Sequence, residues 1–509
     1  MNFSTTSLEI AVILLGLGVL LADLWLPAER KTWLGMAAAA GLGVIFLGSF
    51  LLEAPAPRYA FDHLYVLDHL ALYFKRFFLL AGVFVLLMSV EFADRIRSGI
   101  AEWYALLLFA LAGMMFASSA NDLLMVFASL ELITVTFYVL TSFQRTRLTS
   151  LEAGVKYLIV GALSTAFTVY GIALVFGVAN TTSFDKIFAA NAAYAANPAF
   201  LAGLLLVLVG LGFKIAAFPF QIWAPDVYQG APTPATAFLA IGSKAAGIVL
   251  LLRLLFGAVP QITLDWTKLL LAISAATILY GNLCAIPQRN LKRLLGYSSI
   301  AHAGYLLMGV AAMNRDGSSA ILYYLGGYLF TVLAAFTVIA IVAREVEGED
   351  IAAVAGLQRR SPLLAAGLSL AMVSLAGIPP LAGFFGKFLL FRALLERGAV
   401  ESSFYWLIGI AIVGVVISFY YYLGVVRTIY WAEPEASAAC LQPSRMTRWA
   451  LGCCMAGMLF LGLYPAPLVR VTNEAVGTLT FRPDRFVPPV APPTQALLAP
   501  ARASLAPPQ

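Results

Sequence analysis

The chain alternates long apolar runs with short polar loops over most of its length. A bilayer core of about 30 Å needs about 20 apolar residues per helix. Inside a bilayer the backbone amides of such a run must bond within their own segment, so uninterrupted runs predict helices. We therefore predict an all-α, polytopic membrane protein with about 14 transmembrane helices. The predicted spans are 8–26, 33–52, 75–92, 102–119, 121–141, 152–177, 199–222, 233–257, 268–286, 294–313, 318–343, 362–394, 403–431 and 447–470.

Two of these runs are interrupted by proline near their middle. Pro219 lies five residues after Lys214 in the seventh span, and Pro379 and Pro380 precede Lys387 in the twelfth. A proline has no amide donor and leaves the carbonyl four residues earlier without its helical partner. The broken spans are five apart, and this odd offset gives the corresponding units opposite orientations. We predict two proline-broken helices and two inverted five-helix repeats, spans 4–8 and 9–13.

These patterns divide the chain into five predicted parts. Within the first repeat, the polar region 178–198 predicts a long loop with a short helix at 184–190. The Pro-Pro pairs near the C-terminus prevent a helix there, so we assign the tail no fixed structure. The parts are an N-terminal three-helix segment at 1–101, a first repeat at 102–257, a second, inverted repeat at 268–431, a last transmembrane helix within 432–481 and a Pro-rich tail at 482–509.

Composition supports the membrane class and limits the partners. Hydrophobic residues make up 61% of the chain and charged residues 11%, which excludes a soluble domain of this length. The net charge of +6 comes from Lys and Arg in short loops, with no basic stripe, so we predict no nucleic-acid binding. Their excess in alternate loops places those loops in the cytoplasm and both termini outside. Lys75 and Arg76 lie on the wrong side, and we expect them to snorkel to the interface.

Several cofactor signatures are missing from the sequence. The four cysteines form no CxxC pair, and the three histidines are not spaced as a metal site. The sequence contains no P-loop and no GxGxxG motif after a strand. We therefore predict neither an iron–sulfur cluster nor a zinc or nucleotide site in this chain.

Four ionisable residues lie deep within the predicted spans: Glu131, Lys214, Lys244 and Lys387. A lysine at the bilayer centre costs roughly 2.5–3.5 kcal/mol on insertion scales. Four unpaired charges would then cost on the order of 10 kcal/mol, comparable to the net stability of a domain. One alternative is that each is a satisfied ion pair or a snorkelling lysine, although Lys214 and Lys244 are too central to snorkel easily. We favour a connected path in which Glu131 modulates Lys214, Lys244 relays, and Lys387 is the terminal proton donor or the link to a neighbouring subunit.

Two further residues are weaker candidates for the same relay. Lys156 lies four residues after Glu152 on a predicted helix, an arrangement that also fits a surface ion pair at the cytoplasmic end. His302 lies between Tyr297 and Tyr305 in a stretch that also contains two serines. Histidine can carry protons near neutral pH, and a hydrogen-bonded packing role fits the pattern equally well.

These residues resemble the subunit N branch of the antiporter-like membrane subunits of bacterial respiratory complex I, the proton-pumping NADH:quinone oxidoreductase. The similar stretches cover most of the chain, and the run from Trp223 to Pro234 is the most specific. They are Ser129–Leu132, Leu151–Tyr157, Phe213–Lys214, Trp223–Pro234, Ser243–Lys244, Asn290–Ser299 and Gly377–Lys387.

The resemblance implies a proton-translocating membrane-arm subunit whose repeats are antiporter-like, with Glu131, Lys214, Lys244 and Lys387 at the proton-channel positions. It implies no redox catalysis by this chain alone and no cofactor in it, because NADH, FMN, iron–sulfur clusters and quinone would be bound by partner subunits. The implied partners are other membrane-arm subunits, including adjacent antiporter-like and small membrane subunits, with the lipid bilayer and protons. The implied location is the bacterial cytoplasmic (inner) membrane.

Two other functions fit parts of the same pattern. One is a subunit of a multi-subunit cation/proton antiporter, which would share the fold without redox coupling. The other is a structural scaffold of the membrane arm, in which the buried charges fix helix packing. Co-purifying subunits would separate the first alternative, and variants that lose assembly but keep transport would indicate the second.

Overall fold

The computed structural model describes residues 4–27, 31–96, 99–345, 348–433 and 441–479. Over these ranges the chain is almost entirely helical, and the one named sheet is a short antiparallel hairpin. Its strands are β1 (Arg58–Ala60) and β2 (Tyr65–Leu67). The predicted all-α, multi-pass class is confirmed, whereas the Pro-rich tail predicted at 482–509 lies outside the described residues.

The helices follow one another with short connections. The first eleven are α1 (Ser7–Asp23), α2 (Thr32–Gly48), α3 (His69–Phe92), α4 (Ile100–Ser118), α5 (Leu123–Thr141), α6 (Leu148–Ala179), α7 (Phe184–Tyr194), α8 (Pro198–Ile215), α9 (Trp223–Gly230), α10 (Thr233–Phe238) and α11 (Lys244–Leu252). The others are α12 (Pro260–Asp265), α13 (Thr267–Ala285), α14 (Leu291–Ala311), α15 (Arg315–Glu345), α16 (Leu357–Arg360), α17 (Pro362–Ala376), α18 (Ala382–Gly398), α19 (Ser403–Trp431), α20 (Arg445–Leu463) and α21 (Ala466–Ala475). Single 3₁₀ turns lie at Ser49–Leu51, Ala93–Arg95, Ile351–Val354 and Val476–Thr478.

Twelve helical segments among the described residues are long and apolar enough to cross a bilayer. The 17-residue α1 and the shorter apolar α17 correspond to further predicted spans. The short helix predicted in the loop at 184–190 is confirmed as α7. The count of fourteen spans stays a prediction.

Both predicted helix breaks are present. α8 ends at Ile215, and the chain becomes helical again at Trp223. α17 ends at Ala376, and α18 begins at Ala382. The predicted spans 199–222 and 362–394 are therefore interrupted at their prolines, because no amide is present there to continue the helical ladder.

A further irregularity was not predicted. π-helical turns at Leu239–Ser243 and Arg253–Ala258 flank α11, so the predicted single span 233–257 changes helical geometry twice. This segment is wholly enclosed by the other helices. π-turns often occur at functional sites, and here one of them immediately precedes Lys244. The sequence has no proline or charge pattern that distinguishes such a turn.

The helices of the two predicted repeats pack in the same order. α5 contacts α4 and α6, and α14 contacts α13 and α15. α6 packs against both α8 and α9, which flank the first break, and α15 packs against both α17 and α18, which flank the second. This correspondence is what the predicted repeat requires, and the inversion itself stays a prediction.

The snorkelling expected of Lys75 is wrong. Its side chain is fully buried, and its Nζ lies 2.8 Å from the carboxylate of Glu9, which is also fully buried. Because α1 supplies a countercharge inside the bundle, the ammonium has no need to reach the interface. Arg76 is half-buried and donates to the carbonyls of Ser49 and Leu52, both at 3.1 Å.

Candidate functional site

Lys214 lies in the last turn of α8, directly before the first break. Its side chain is buried, and Nζ donates to Thr134 Oγ1 at 2.8 Å and to the hydroxyl of Tyr157 at 3.4 Å. Thr134 passes its own hydrogen to the carbonyl of Leu130 at 2.5 Å. The lysine is therefore held by neutral hydroxyl groups, which bind an ammonium without fixing its charge.

Glu131 lies three residues before Thr134 on α5 and is half-buried. Its Oε1 accepts a hydrogen bond from Thr165 Oγ1 at 2.6 Å. Glu131 and Lys214 line the same cavity, which has about 10 Å³ of space for the centre of a water molecule. That space holds about one water. Among the described ion pairs none joins the two residues within 4.0 Å, so the carboxylate faces Lys214 across a small polar cavity.

At the first break a neutral side chain, rather than the lysine, binds the end of α8. Pro219 cannot supply an amide to the carbonyl of Ile215, and the left-handed residue Ala216 (φ 59°) ends α8. The indole Nε1 of Trp223 donates to the carbonyl of Phe213 at 3.0 Å. The amide of Ala216 donates to the same carbonyl at 3.0 Å, so the end of α8 is bonded without the ammonium of Lys214, which binds side chains instead.

Lys244 is the first residue of α11, and its side chain is buried. Its Nζ donates to both the hydroxyl and the carbonyl of Ser299 on α14. The same Ser299 hydroxyl contacts the hydroxyls of Tyr228 at 3.0 Å and Tyr328 at 3.2 Å. Ser299 is thus a meeting point of one lysine and two tyrosines.

A pair of hydroxyls lies between Lys214 and Lys244. Tyr157 accepts from Lys214, and the hydroxyl of Ser243, the residue before Lys244, lies near Tyr157 without full hydrogen-bond geometry. Both groups are hydroxyls, whose hydrogens rotate to suit their partners, so each can either donate or accept a hydrogen bond.

His302 lies on α14, one turn beyond Ser299, and is buried. Its Nδ1 contacts the hydroxyl of Tyr324, and its Nε2 lies 3.1 Å from the hydroxyl of Tyr422. The hydroxyl of Tyr422 also contacts Ser298 Oγ. Both ring nitrogens therefore have hydroxyl partners that can either donate or accept, which is compatible with both neutral tautomers.

Lys387 closes the second break. Its Nζ donates to the carbonyls of Leu375 at 2.8 Å and Ala376 at 2.9 Å. These are the carbonyls four residues before Pro379 and Pro380, which have no amide to offer them. The buried ammonium thus replaces two missing backbone donors.

Ring contacts connect Lys244 with Lys387 through His302. Lys244 Nζ lies 5.7 Å from the Tyr328 ring centre, and that ring lies 5.1 Å from the His302 ring. On the other side, the His302 ring lies 6.0 Å from Tyr305, whose ring centre is 5.2 Å from Lys387 Nζ. The structure therefore brings Glu131, Lys214, Lys244, His302 and Lys387 into one buried polar and aromatic line.

Lys156 lies apart from this line. Its side chain is 42% exposed and forms ion pairs with Glu152 at 2.7 Å and with Asp226 at 2.6 Å. Asp226 also pairs with Arg293 from α14. The surface-pair alternative matches this geometry. Asp226 and Arg293 were not singled out as site residues, although both fall within stretches that carry the resemblance.

A second group of buried charges was missed. Glu9 pairs with Lys75, and Asp68 receives two hydrogen bonds from Arg253, at 2.8 and 3.2 Å. The signal that could have found Glu9 was its charge within the first apolar run, the same signal that identified Glu131. Among the described residues no group of three or more His, Cys, Asp or Glu side chains could hold a metal ion.

Comparison with known proteins identifies the family. The family model described as "NADH:quinone oxidoreductase/Mrp antiporter, TM" matches residues 120–418. The chain belongs to this family. Relatives named NADH-quinone oxidoreductase subunit N are 38% identical in Desulforamulus reducens, over 93% of this chain and 98% of the relative, and 39% identical in Moorella thermoacetica, over the same shares.

Solved structures agree with this assignment. A chain of respiratory complex I from Thermus thermophilus is 32% identical, with a TM-score of 0.76 over 91% of this chain and 98% of that one. A chain of the Mrp complex from Dietzia is 20% identical with a TM-score of 0.80 over 94% and 98%, a likeness of fold. The resemblance to the NADH:quinone oxidoreductase/Mrp antiporter family drawn from the sequence is confirmed.

Proposed function

We propose that this chain is a proton-translocating membrane-arm subunit of NADH:quinone oxidoreductase. The observation that carries the proposal is the buried line in which three lysines are held by hydroxyls and backbone carbonyls. A buried ion pair is by itself sufficient for a structural role. Buried ionisable residues that line polar cavities are characteristic of proton pathways in membranes.

In this proposal each residue has a separate task. Glu131 changes the proton affinity of Lys214 across the water-sized cavity, because a nearby carboxylate favours the charged ammonium. Protons pass between Lys214 and Lys244 through the Tyr157 and Ser243 hydroxyls. His302 carries the path to Lys387, which delivers the proton or transmits the charge to a neighbouring subunit. Lys156 keeps a weaker role as a surface group that exchanges protons with water.

The remaining parts of the proposal concern the assembly. The packing order of the helices supports two inverted antiporter-like repeats within 102–257 and 268–431, between a segment at 1–101 and a last helix within 432–481. We assign both termini to the outside of the bacterial inner membrane. NADH, FMN, the iron–sulfur clusters and the quinone would be bound by partner subunits, and this chain would carry out no redox step alone.

The test is a Lys214→Met variant in the assembled complex, reconstituted in vesicles. A positioned proton-transfer group contributes about 10²–10⁴-fold to its step, so we expect proton-coupled turnover to fall by roughly tenfold or more. The control is Lys268→Met, which removes an exposed lysine at the start of α13. Normal pumping by a fully assembled Lys214→Met complex would refute the proposed relay.

A cation/proton antiporter subunit is the second candidate, because the chain shares its fold with the Mrp complex. The two candidates differ in their partners. Affinity purification of the tagged chain from its native membrane should recover NADH-oxidising activity in the first case. Recovery of sodium/proton exchange without that activity would favour the second.

A further inference from the structure

We infer that Glu9, Tyr65 and Lys75 form a second proton-exchange site that includes a bound water, at the boundary between the N-terminal three helices and α4. The inference rests on the proposed function, because it gives the translocated proton a further binding site. It concerns a part of the chain that lies before the residues matched by the family model.

The three side chains are completely buried and in mutual contact. Lys75 Nζ lies 2.8 Å from Glu9 Oε1 and also contacts the hydroxyl of Tyr65. The Tyr65 hydroxyl lies 3.0 Å from Glu9 Oε1 and 3.1 Å from the carbonyl of Thr5. An acid, a hydroxyl and an amine therefore meet at one point.

Glu9 and two residues close to the site carry unsatisfied oxygen atoms. Glu9 Oε2, Thr6 Oγ1 and Ser119 Oγ are buried and have no hydrogen-bond partner among the described residues. Thr6 lies one turn before Glu9, and Ser119 lies beside Tyr65, because its carbonyl accepts from Val66 at 2.9 Å and its hydroxyl lies near the tyrosine hydroxyl. Buried polar groups almost always bind a partner, and a water molecule satisfies two to four of them.

A second ion pair connects this site to the helix that carries Lys244. Asp68 lies directly after β2, caps the N-terminus of α3 and accepts two hydrogen bonds from Arg253. Arg253 Nε also donates to the carbonyl of Ser118 at 2.6 Å, next to Ser119. Arg253 follows α11 directly, nine residues after Lys244 and therefore about 13 Å along the helix. Lys244 and Arg253 therefore lie on one continuous helical segment, through which a change of charge at Lys244 can reach the Asp68–Arg253 pair.

Proton exchange within this site needs no further reactant. An N–H bond of the Lys75 ammonium breaks, and its proton forms an O–H bond on Tyr65. The original tyrosine proton then forms an O–H bond on Glu9. The ion pair becomes a neutral acid and a neutral amine, with no change in net charge. Burial reduces the free-energy difference between these two forms, because desolvation opposes the ion pair.

The experiment uses the whole complex in vesicles and three variants. Glu9→Gln with Lys75→Met in one chain removes both charges together, so neither is left buried alone. Tyr65→Phe keeps the ion pair and removes the bridging hydroxyl. NADH-induced infrared difference spectra report a carboxylic acid that gains or loses a proton, and the proton-to-electron ratio is measured on the same vesicles.

We expect a carboxylic acid band in the wild-type spectrum that is lost in the double variant and diminished in Tyr65→Phe. We expect the proton-to-electron ratio to fall about twofold or more in the double variant. An unchanged ratio and spectrum in the double variant would overturn the inference. If the double variant does not assemble, unchanged values in Tyr65→Phe overturn it in the same way.

Lys214→Met, measured in parallel, separates the two proposals. A loss of pumping in Lys214→Met together with normal behaviour of the Glu9, Tyr65 and Lys75 variants would reject the second site alone. Normal pumping in Lys214→Met would instead reject the proposed relay.

Discussion

The two helix breaks differ in whether the nearby lysine bonds to the backbone. In the first, the indole of Trp223 binds the carbonyl of Phe213, and Lys214 turns towards Thr134 and the cavity that it shares with Glu131. In the second, Lys387 itself binds the two freed carbonyls. Lys214 therefore makes no bond to the backbone at the first break, whereas Lys387 bonds to the backbone at the second.

The difference teaches that a lysine beside a broken membrane helix can have two physical roles. A lysine released from capping can change its charge with little effect on the backbone. A capping lysine couples its charge to the helix end, since losing a proton weakens its bonds to two carbonyl groups. We therefore expect movement of the second break to accompany proton transfer at Lys387.

Lys387→Met should have the largest effect on stability. It leaves the carbonyls of Leu375 and Ala376 without a donor, and each unsatisfied buried acceptor costs about 1–3 kcal/mol. Retention of the chain in the complex during heating in detergent measures the loss. Lys214→Met is the matched control and should be retained nearly as well as wild type. Equal heat resistance of the two variants would remove the distinction between the breaks.

Trp223→Phe should have an intermediate effect on stability and little effect on pumping. It removes one of the two donors to the carbonyl of Phe213, which the amide of Ala216 still binds at 3.0 Å, and the smaller ring leaves part of a buried site unfilled. Together the lost hydrogen bond and the cavity should cost about 1–3 kcal/mol. The same heating assay and the proton-to-electron ratio test this. A loss of pumping as large as that of Lys214→Met would show that Trp223 takes part in the relay.

Exchanging glycine and alanine at the C-terminal ends of α17 and α8 should have the smallest effects on stability. Gly377 has a φ of 87°, and an added Cβ would lie 2.9 Å from Cδ of Lys387, so Gly377→Ala should cost about 1–2 kcal/mol and displace that lysine. Ala216→Gly relieves similar strain but loses a buried methyl worth about 0.8 kcal/mol, so it should be nearly neutral. The heating assay should rank Gly377→Ala below Ala216→Gly, and the reverse order would contradict this account.

The features that depend on residues close together in the chain could be predicted from the sequence. Pro219, Pro379 and Pro380 predict both breaks because a missing amide acts within four residues along the chain. Apolar runs predict the spans for a similar reason. The depth of Lys214 and Lys244 in their spans indicated buried charges before any contact was known.

Contacts between distant segments could not be predicted in the same way. The sequence predicts that Lys75 snorkels, but in the structure it pairs with Glu9 of α1, which lies 66 positions earlier in the chain. The π-turn before Lys244 depends on packing around a wholly enclosed helix, and the tyrosines beside His302 come from α15 and α19. These features are set by tertiary packing, which apolar periodicity does not encode.

The most direct test of a continuous relay is the proton-to-electron ratio of an assembled complex that carries Lys244→Met. Lys244 lies between the two breaks, with Tyr157 and Ser243 on one side and Ser299 and His302 on the other. A continuous relay predicts a lower ratio, because the variant has no basic side chain between Lys214 and His302 to take up the proton. An unchanged ratio in the fully assembled complex would contradict it.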